Sequence, residues 1–411
     1  MPSIEHLELM PEPDEPRLLT TVDPSAPGYP GEAYGLTDEE ARQLRWPLGP
    51  IKEALWPWGA VFFSIGTLLL LVSWPFIDAY LTPVLPDSEW AYEDTGIRRL
   101  QSTGLSGEGV DVCIVDTGAD ISHRDLEGAS LVGFRDFYEE NNQEVRDVGD
   151  EYHGTMMTGL LVANGTFTGA APGVSLSIAL ALGPEGSSGQ QDRVALAIRW
   201  CRITQEVDII SLSLGANPGN GMGTDSETVA AVNEALQAGI FVVAAAGNTG
   251  LEESISDVSV PANIPGVIAV GAVFRSGVSW PDSASGSVTD PYGGDNRTFP
   301  NQKPEISAPG VNIFSTATTD LTPPYAYSSG TSDSTVFVTG ALSLILELYG
   351  EDLAGDDGII SQEDMELVKR ALANSAASGD EGGAGHDNRL GYGELDAFEW
   401  ASQVAFELNL N

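Results

Sequence analysis

From residue 110 onward, short apolar runs alternate with segments of helical periodicity, and this pattern constrains the fold more than any other feature. Strands buried on both faces form unbroken apolar runs, and strands separated by helices pair in parallel. The alternation therefore predicts an α/β fold, a doubly wound and mostly parallel sheet with helices on both faces. Ligands of such sheets bind beyond the carboxyl ends of the strands. In chain order the segments are VDVCIVD, a helix from His153, VSLSIALAL, a helix through ALAIRWCRI, VDIISLSLG, a helix over 226–238, and IFVVAAAGN.

The chain of 411 residues carries 60 acidic residues against 18 basic ones, a formal net charge of -42. Such a charge repels a phosphate backbone and argues against nucleic acid as a partner. The acids are spread along the chain, which indicates a solvated acidic surface of the halophilic kind found in organisms with a salt-filled cytoplasm. Molar salt would screen this charge.

Residues 54–77 are 24 consecutive uncharged residues, long enough as a helix to cross a hydrocarbon layer of about 30 Å. They predict one transmembrane helix with aromatic residues at both ends, the alternatives being a buried core helix or a cleaved signal peptide, which would begin nearer the amino terminus. The belt residues are Trp56, Trp58, Trp74 and Tyr80.

The transmembrane prediction divides the chain into four parts. Residues 1–53 form an acidic, Pro-rich flexible tail, residues 78–105 a stalk or linker, and residues 106–411 the folded domain. Basic residues lie just before the helix, so we expect the tail to be cytoplasmic and the folded domain extracellular. The chain would thus sit in the cell membrane as a single-pass protein.

Two cysteines are too few for a disulfide framework. Cys113 lies in an apolar strand-like run and Cys201 in a helical pattern, so we expect both to be buried free thiols.

Three polar residues follow the predicted strands or begin helices. Asp116 ends VDVCIVD, His153 begins HGTMMTGLLVANG, and Ser332 precedes the apolar helical pattern of STVFVTGALSLIL. At a helix amino terminus, free N–H groups can stabilise a developing oxyanion. Taken singly, an Asp at a turn, a surface His and a capping Ser explain each residue equally well.

Several collinear motifs make this sequence similar to the subtilisin-like serine peptidases over roughly residues 90–402. They are VDTG at 115–118, HGT at 153–155, SLG at 213–215, AAAGN at 244–248, KPEISAPG at 303–310, GTS at 330–332 and GYGELDA at 391–397. The order Asp, His, Ser is also that of the family.

The resemblance implies a serine-type endopeptidase that hydrolyses protein or peptide substrates through an acyl-enzyme. Ser332 would be the nucleophile, His153 the general base and acid, and Asp116 the group that orients the imidazole. Asn248 would donate to the oxyanion. The segments expected to pair with an extended substrate contain Ser213, Leu214, Gly215, Ala244, Ala245, Ala246 and Gly247.

The sequence departs from the family pattern beside the nucleophile, where Asp333 replaces the usual apolar residue, and Val336 and Phe337 replace a Pro-His pair. Met156 stands where a second histidine is frequent. These departures leave an alternative open, a catalytically impaired pseudo-peptidase that binds polypeptides. The chemistry requires no cofactor. Asp125 matches a frequent calcium-ligand position, which leaves a structural calcium open, and the oligomeric state stays unpredicted.

Overall fold

The computed structural model describes residues 49–81, 87–139, 142–185, 191–217, 226–252, 254–355, 358–376 and 385–410. The chain divides into two compact units, Met1–Val84 and Leu85–Asn411. Most of the predicted tail, residues 1–48, lies outside the described residues, as do residues 82–86 of the predicted stalk.

In the first unit, helix α1 spans Gly49–Leu81 and contains the segment predicted to cross a membrane. Its described apolar side chains are exposed, among them Phe63 at 77% and Leu71 at 65%. Judged by length and apolarity, none of the helices in the described part of the chain qualifies as membrane-crossing.

The second unit is built on a seven-stranded parallel sheet, which confirms the predicted α/β fold. The strands are β1 Asp111–Asp116, β2 Ser130–Asp136, β3 Ser175–Leu180, β4 Ile209–Leu212, β5 Phe241–Ala245, β6 Ile268–Val273 and β7 Ile306–Pro309. Their order across the sheet is β2-β3-β1-β4-β5-β6-β7. The strand order reverses between β1 and β4, and ligand crevices form at such switch points. Strands β4, β5 and β6 are buried at every position, as their apolar runs predict.

Helices cover both faces of this sheet. Helix α4 (His153–Val162) packs against the long helix α7 (Thr331–Leu353), while α5 (Gln191–Trp200) and α6 (Glu227–Gln237) pack against each other elsewhere on the sheet. Helices α8 (Gln362–Ser375) and α9 (Ala397–Glu407) complete the carboxyl-terminal end. An antiparallel hairpin of β8 (Val311–Thr316) and β9 (Tyr325–Ser329) leads directly into α7.

Part of the predicted 78–105 linker is structured. Residues Glu89–Asp94 form helix α2 and Ile97–Gln101 form helix α3. Tyr92 is 1% exposed and packs edge-on against Phe337, with ring centroids 4.9 Å apart. Apolar residues at helical spacing therefore attach this segment to the core of the folded domain.

The two cysteines form a disulfide, so the prediction of free thiols is wrong. Cys113 in β1 and Cys201, at the end of α5, lie with Cα atoms 5.9 Å apart although 88 residues separate them in sequence. The crossover from β3 through α5 folds back over β1, and this tertiary contact leaves no trace in the sequence spacing.

A buried charged cluster lies near the start of β7. Glu305 accepts hydrogen bonds from Lys303 Nζ at 2.8 Å and Lys369 Nζ at 2.9 Å, and all three side chains are at most 2% exposed. Glu305 also accepts from the N–H of Ala269 in β6, at 2.8 Å. Burial, partly opposed by the Glu305 carboxylate, lowers the pKa of Lys303 to about 7. Glu305 is therefore the shared counter-charge of both buried lysines.

Candidate active site

Asp116 and His153 are joined directly at the carboxyl edge of the sheet. Asp116 is the last residue of β1 and its side chain is fully buried. His153 is the first residue of α4, and its Nδ1 lies 2.7 Å from Asp116 Oδ1. The His153 side chain keeps 32% of its surface exposed, so part of the imidazole is accessible to a ligand.

Another carboxylate, Asp147, which the sequence predictions did not include, bridges the two segments that carry this pair. Asp147 Oδ1 accepts from the hydroxyl of Thr117 at 2.7 Å. Asp147 Oδ2 accepts from the N–H of Thr155 at 2.8 Å and from its hydroxyl at 2.6 Å. Thr117 and Thr155 follow Asp116 and His153 by one and two residues, and Thr117 Oγ1 also accepts from the N–H of Gly154. Asp147 thereby fixes the distance between the two functional side chains.

Ser332 is the second residue of α7, just after its amino-terminal cap Gly330. Its hydroxyl donates to the carbonyl oxygen of Ser213 at 3.2 Å, and the hydroxyl of Ser213 donates to the carbonyl oxygen of Ser332, also at 3.2 Å. Among the hydrogen bonds of the described residues, none joins Ser332 Oγ to His153. Catalytic hydrogen bonds are often formed only with substrate bound, so the missing bond does not rule out a catalytic role for Ser332.

Asn248 lies beside the first turn of α7 with its amide oriented by that turn. Its Oδ1 accepts from the N–H of Thr331 at 3.0 Å and from the hydroxyl of Thr331 at 2.9 Å. Its Nδ2 lies close to Gly330, at 3.2 Å from the position that a Cβ atom on this glycine would occupy. The N–H of Ser332 lies 3.6 Å from the same point. Two N–H donors thus converge beside the serine.

The residues predicted to pair with substrate line two adjacent segments. Ser213, Leu214 and Gly215 follow β4, whereas Ala244 and Ala245 end β5 and Ala246 and Gly247 follow it. The N–H of Gly247 donates to Thr331 Oγ1 at 3.1 Å, which ties this segment to α7. Gly247 has a φ of +106° and a Cβ there would lie 2.1 Å from Ser259 Oγ, so this position requires glycine.

A cavity of about 470 Å³ opens beside His153, large enough for a peptide side chain. It is lined by His153, Ser213, Leu182 and the carboxylates Asp150, Glu151 and Glu185, together with Thr117, Gly149 and Pro184. His153 and Ser213, the hydrogen-bond partner of Ser332, therefore line one recess.

Charges around His153 favour its protonated form. Burial alone would lower the pKa of the imidazole, but the carboxylates of Asp116, Asp333 and Asp147 together raise that pKa to about 9. Burial likewise raises the pKa of Asp147. An imidazolium is thus well stabilised in this site, as a general base requires once it has accepted a proton.

The residues present do not fit the calcium site suggested by Asp125. Its Oδ2 accepts from the hydroxyl of Tyr325 at 2.9 Å and its Oδ1 from Thr166 at 3.3 Å, and Arg124 Nε lies 3.7 Å away. Protein donors and a cation therefore occupy the positions that a metal ion would take. Within the described residues, no group of three or more His, Cys, Asp or Glu side chains is arranged to hold a metal.

The Asp116–His153 pair at the carboxyl edge of the sheet is typical of serine-type hydrolases, and the comparisons with relatives narrow the class to a serine-type endopeptidase. Sequence comparison then gives the family: the model of the Subtilase family matches residues 107–393, well over half of the chain, and the chain belongs to this family.

Individual relatives agree with this assignment. The chain is 34% identical to the Major intracellular serine protease of Bacillus subtilis over 276 residues, covering 66% of this chain and 78% of that protein. It is 36% identical to Subtilisin E of Bacillus subtilis over 253 residues, covering 61% of this chain and 58% of that protein. It is 35% identical to the Thermostable alkaline protease of Halalkalibacterium halodurans over 266 residues, covering 63% of each chain. The chain thus spans between about half and four fifths of these relatives.

Proposed function

We propose that this chain hydrolyses peptide bonds of proteins or peptides through an acyl-enzyme formed on Ser332. The single observation that carries the proposal is the 2.7 Å contact between the buried Asp116 and His153, at the edge where Ser332 contacts Ser213. Asp116 holds the tautomer of His153 in which Nε2 is free to accept a proton.

In the first step Ser332 Oγ leaves the carbonyl of Ser213 and attacks the substrate carbonyl carbon. His153 Nε2 takes the hydroxyl proton and then transfers it to the departing amine as the carbon–nitrogen bond breaks. In the second step water attacks the ester, His153 accepts a proton from that water, and the proton returns to Ser332 as the acid product leaves. Asn248 Nδ2 and the N–H of Ser332 donate to the oxyanion of each tetrahedral intermediate.

Substrate orientation follows from the two segments at the strand ends. An extended peptide would lie along Ser213–Gly215 and Ala244–Gly247 and pair with their backbone groups. The cavity beside His153 would then take a side chain of that peptide. No cofactor enters either step.

The test is active-site labelling of the full chain with a fluorophosphonate probe in molar salt, which screens the net charge. We expect wild-type protein to be labelled and Ser332→Ala to be unlabelled. Ser329→Ala, at a nearby serine whose hydroxyl accepts from the N–H of Asn312, is the matched control and should be labelled like wild type. A folded wild type that binds casein peptides but is never labelled would support the alternative, a pseudo-peptidase.

We also infer that the chain is attached to the cell membrane through residues 54–77, with the peptidase domain outside. The support is the uncharged stretch, the basic residues before it, and the exposed apolar side chains of α1. The Cys113–Cys201 disulfide agrees with an oxidising compartment. Protease shaving of intact cells should remove the carboxyl-terminal domain, and its protection would refute the orientation.

The acidic surface supports adaptation to high salt. We expect the melting temperature to rise as potassium chloride increases towards molar concentrations, because screening relieves repulsion among the surface carboxylates. A melting temperature independent of salt would contradict this adaptation.

A further inference from the structure

Asp333, the residue after the nucleophile, is a buried carboxylate with no part in the mechanism above. Its side chain is 1% exposed, and its Oδ1 accepts a hydrogen bond from the hydroxyl of Ser328 in β9. A Cβ atom added to Gly330 would lie 3.7 Å from Asp333 Oδ2. The same Cβ position is 3.2 Å from Asn248 Nδ2 and 3.6 Å from the backbone nitrogen of Ser332. The carboxylate therefore shares its surroundings with both oxyanion donors.

The titratable groups that act on Asp333 come from two helices. His153 of α4 interacts with it electrostatically, as does the phenol of Tyr92 in α2. Tyr92 stays neutral because burial raises its pKa, and its hydroxyl donates to the carbonyl of Leu160 at 3.3 Å. In the described part of the chain Asp333 forms no ion pair with Lys or Arg. Its charge is thus left to act on His153 and on the oxyanion.

We infer that Asp333 is a positioning residue of the peptidase, a second carboxylate that holds the proton on His153 and so sets the acidic limit of the pH range. This inference rests on the proposed function. Asp333 touches neither the scissile bond nor the attacking water, and acts through the charge of His153 and the field at the oxyanion donors.

The sign of the effect follows from the charges. A general base must be neutral before it accepts a proton, and the pKa of His153 is raised to about 9, so kcat/KM should rise only in alkaline solution. Burial, partly opposed by the bond from Ser328, raises the pKa of Asp333 to about 7. Between these values Asp333 is ionised and His153 protonated, and the two titrate as a coupled pair. Removing the charge of Asp333 should therefore release the proton of His153 at lower pH.

The experiment compares pH profiles of kcat/KM for wild type and Asp333→Asn. We expect the midpoint of the acidic limb to fall by about one pH unit, the usual effect of removing one close opposite charge. Activity at pH 7 should rise about tenfold. In Asp333→Glu, which keeps the charge, the midpoint of the acidic limb should stay near the wild-type value.

Asp208→Asn is the control for a half-buried carboxylate at the opposite edge of the sheet, where Asp208 accepts from the N–H of Asp111 at 2.8 Å. The acidic limb of kcat/KM in Asp208→Asn should have the same midpoint as in wild type. A folded Asp333→Asn variant whose limb stays at the wild-type midpoint, or moves to higher pH, would overturn the inference.

If Asp333→Asn does not fold, or if the protein shows no activity, a second variant and an NMR measurement still test the inference. Ser328→Ala removes the hydroxyl that stabilises the ionised carboxylate, so its limb should move in the same direction by a smaller amount, and no movement counts against the inference. Carbon-13 NMR of the four histidines gives the titration of His153 without turnover. If no pH gives probe labelling, the proposed function fails. The NMR midpoint of His153 in Asp333→Asn then decides the inference alone: a fall supports it and an unchanged midpoint sinks it.

Discussion

Asp147 binds Thr155 twice through one oxygen, accepting from its N–H at 2.8 Å and from its hydroxyl at 2.6 Å. The other carboxylate oxygen binds the hydroxyl of Thr117. Two segments far apart in sequence are thereby held at one distance, and that distance sets the contact of Asp116 with His153. The alignment of the proposed catalytic pair thus depends on a side chain that has no role in the proposed chemistry.

Replacement of Asp147 with alanine should lower kcat more than it raises KM. Without the carboxylate, Thr117 and Thr155 lose their common partner, and a displacement of about 1 Å at the reacting groups can cost on the order of 100-fold in rate. Steady-state kinetics with a peptide amide measures the effect. Asp120→Asn, at a nearby carboxylate that binds Thr319 and Ser122, is the control. Equal losses in the two variants would show that Asp147 has no special role in alignment.

Replacement of Asn248 separates its two hydrogen-bonding roles. Asn248→Asp keeps an oxygen that can accept from Thr331 but loses the amide donor to the oxyanion. We expect kcat to fall by roughly 10²- to 10³-fold with little change in KM, a range already measured for this donor in subtilisin. Asn248→Ala, which also loses the bonds to Thr331, should in addition melt at lower temperature. Full activity in a folded Asn248→Asp variant would rule out Asn248 as an oxyanion donor.

Loss of the disulfide should destabilise the protein without abolishing turnover at room temperature. The bond closes a long loop, since 88 residues separate Cys113 and Cys201, and removal of a native disulfide typically costs about 2 to 5 kcal/mol. Urea denaturation of Cys113→Ala/Cys201→Ala measures the free energy of unfolding. Wild-type protein denatured with reductant present is the control and should unfold at the same urea concentration as the double variant. A double variant as stable as the oxidised wild type would contradict the expectation.

Glu305→Gln should be among the most destabilising single changes in the chain. It leaves Lys303 and Lys369 buried without a counter-charge, and breaking a buried pair in this way costs about 3 to 5 kcal/mol. The matched control is Glu234→Gln, which removes a carboxylate that is 37% exposed and paired with Arg199 and Arg202. Exposed pairs contribute about 1 kcal/mol or less. Similar unfolding free energies for the two variants would disprove a structural role for the buried cluster.

The sequence alone was sufficient for the parallel sheet, because fully buried strands such as β4 and β5 must be continuous apolar runs. It also placed Asp116 at the carboxyl end of a parallel strand and His153 at the start of a helix, where the structure has them. The grouping of these two residues with Ser332 as one catalytic set stays a prediction. The disulfide and the helices over 89–101 were missed, because both depend on contacts between distant segments.

The chemical identities of the functional side chains were thus determined by the sequence, through motifs that place each one at a strand end or helix start. Tertiary structure decided their electrostatics. Asp147 is one of 60 acidic residues and has no local signature, yet the fold buries it between Thr117 and Thr155. Asp333 was visible in sequence as an unusual neighbour of the nucleophile, but its effect on His153 depends on burial and distance. The strength of a charge interaction is set by the surrounding dielectric and the separation of the charges, and these exist only in the folded chain.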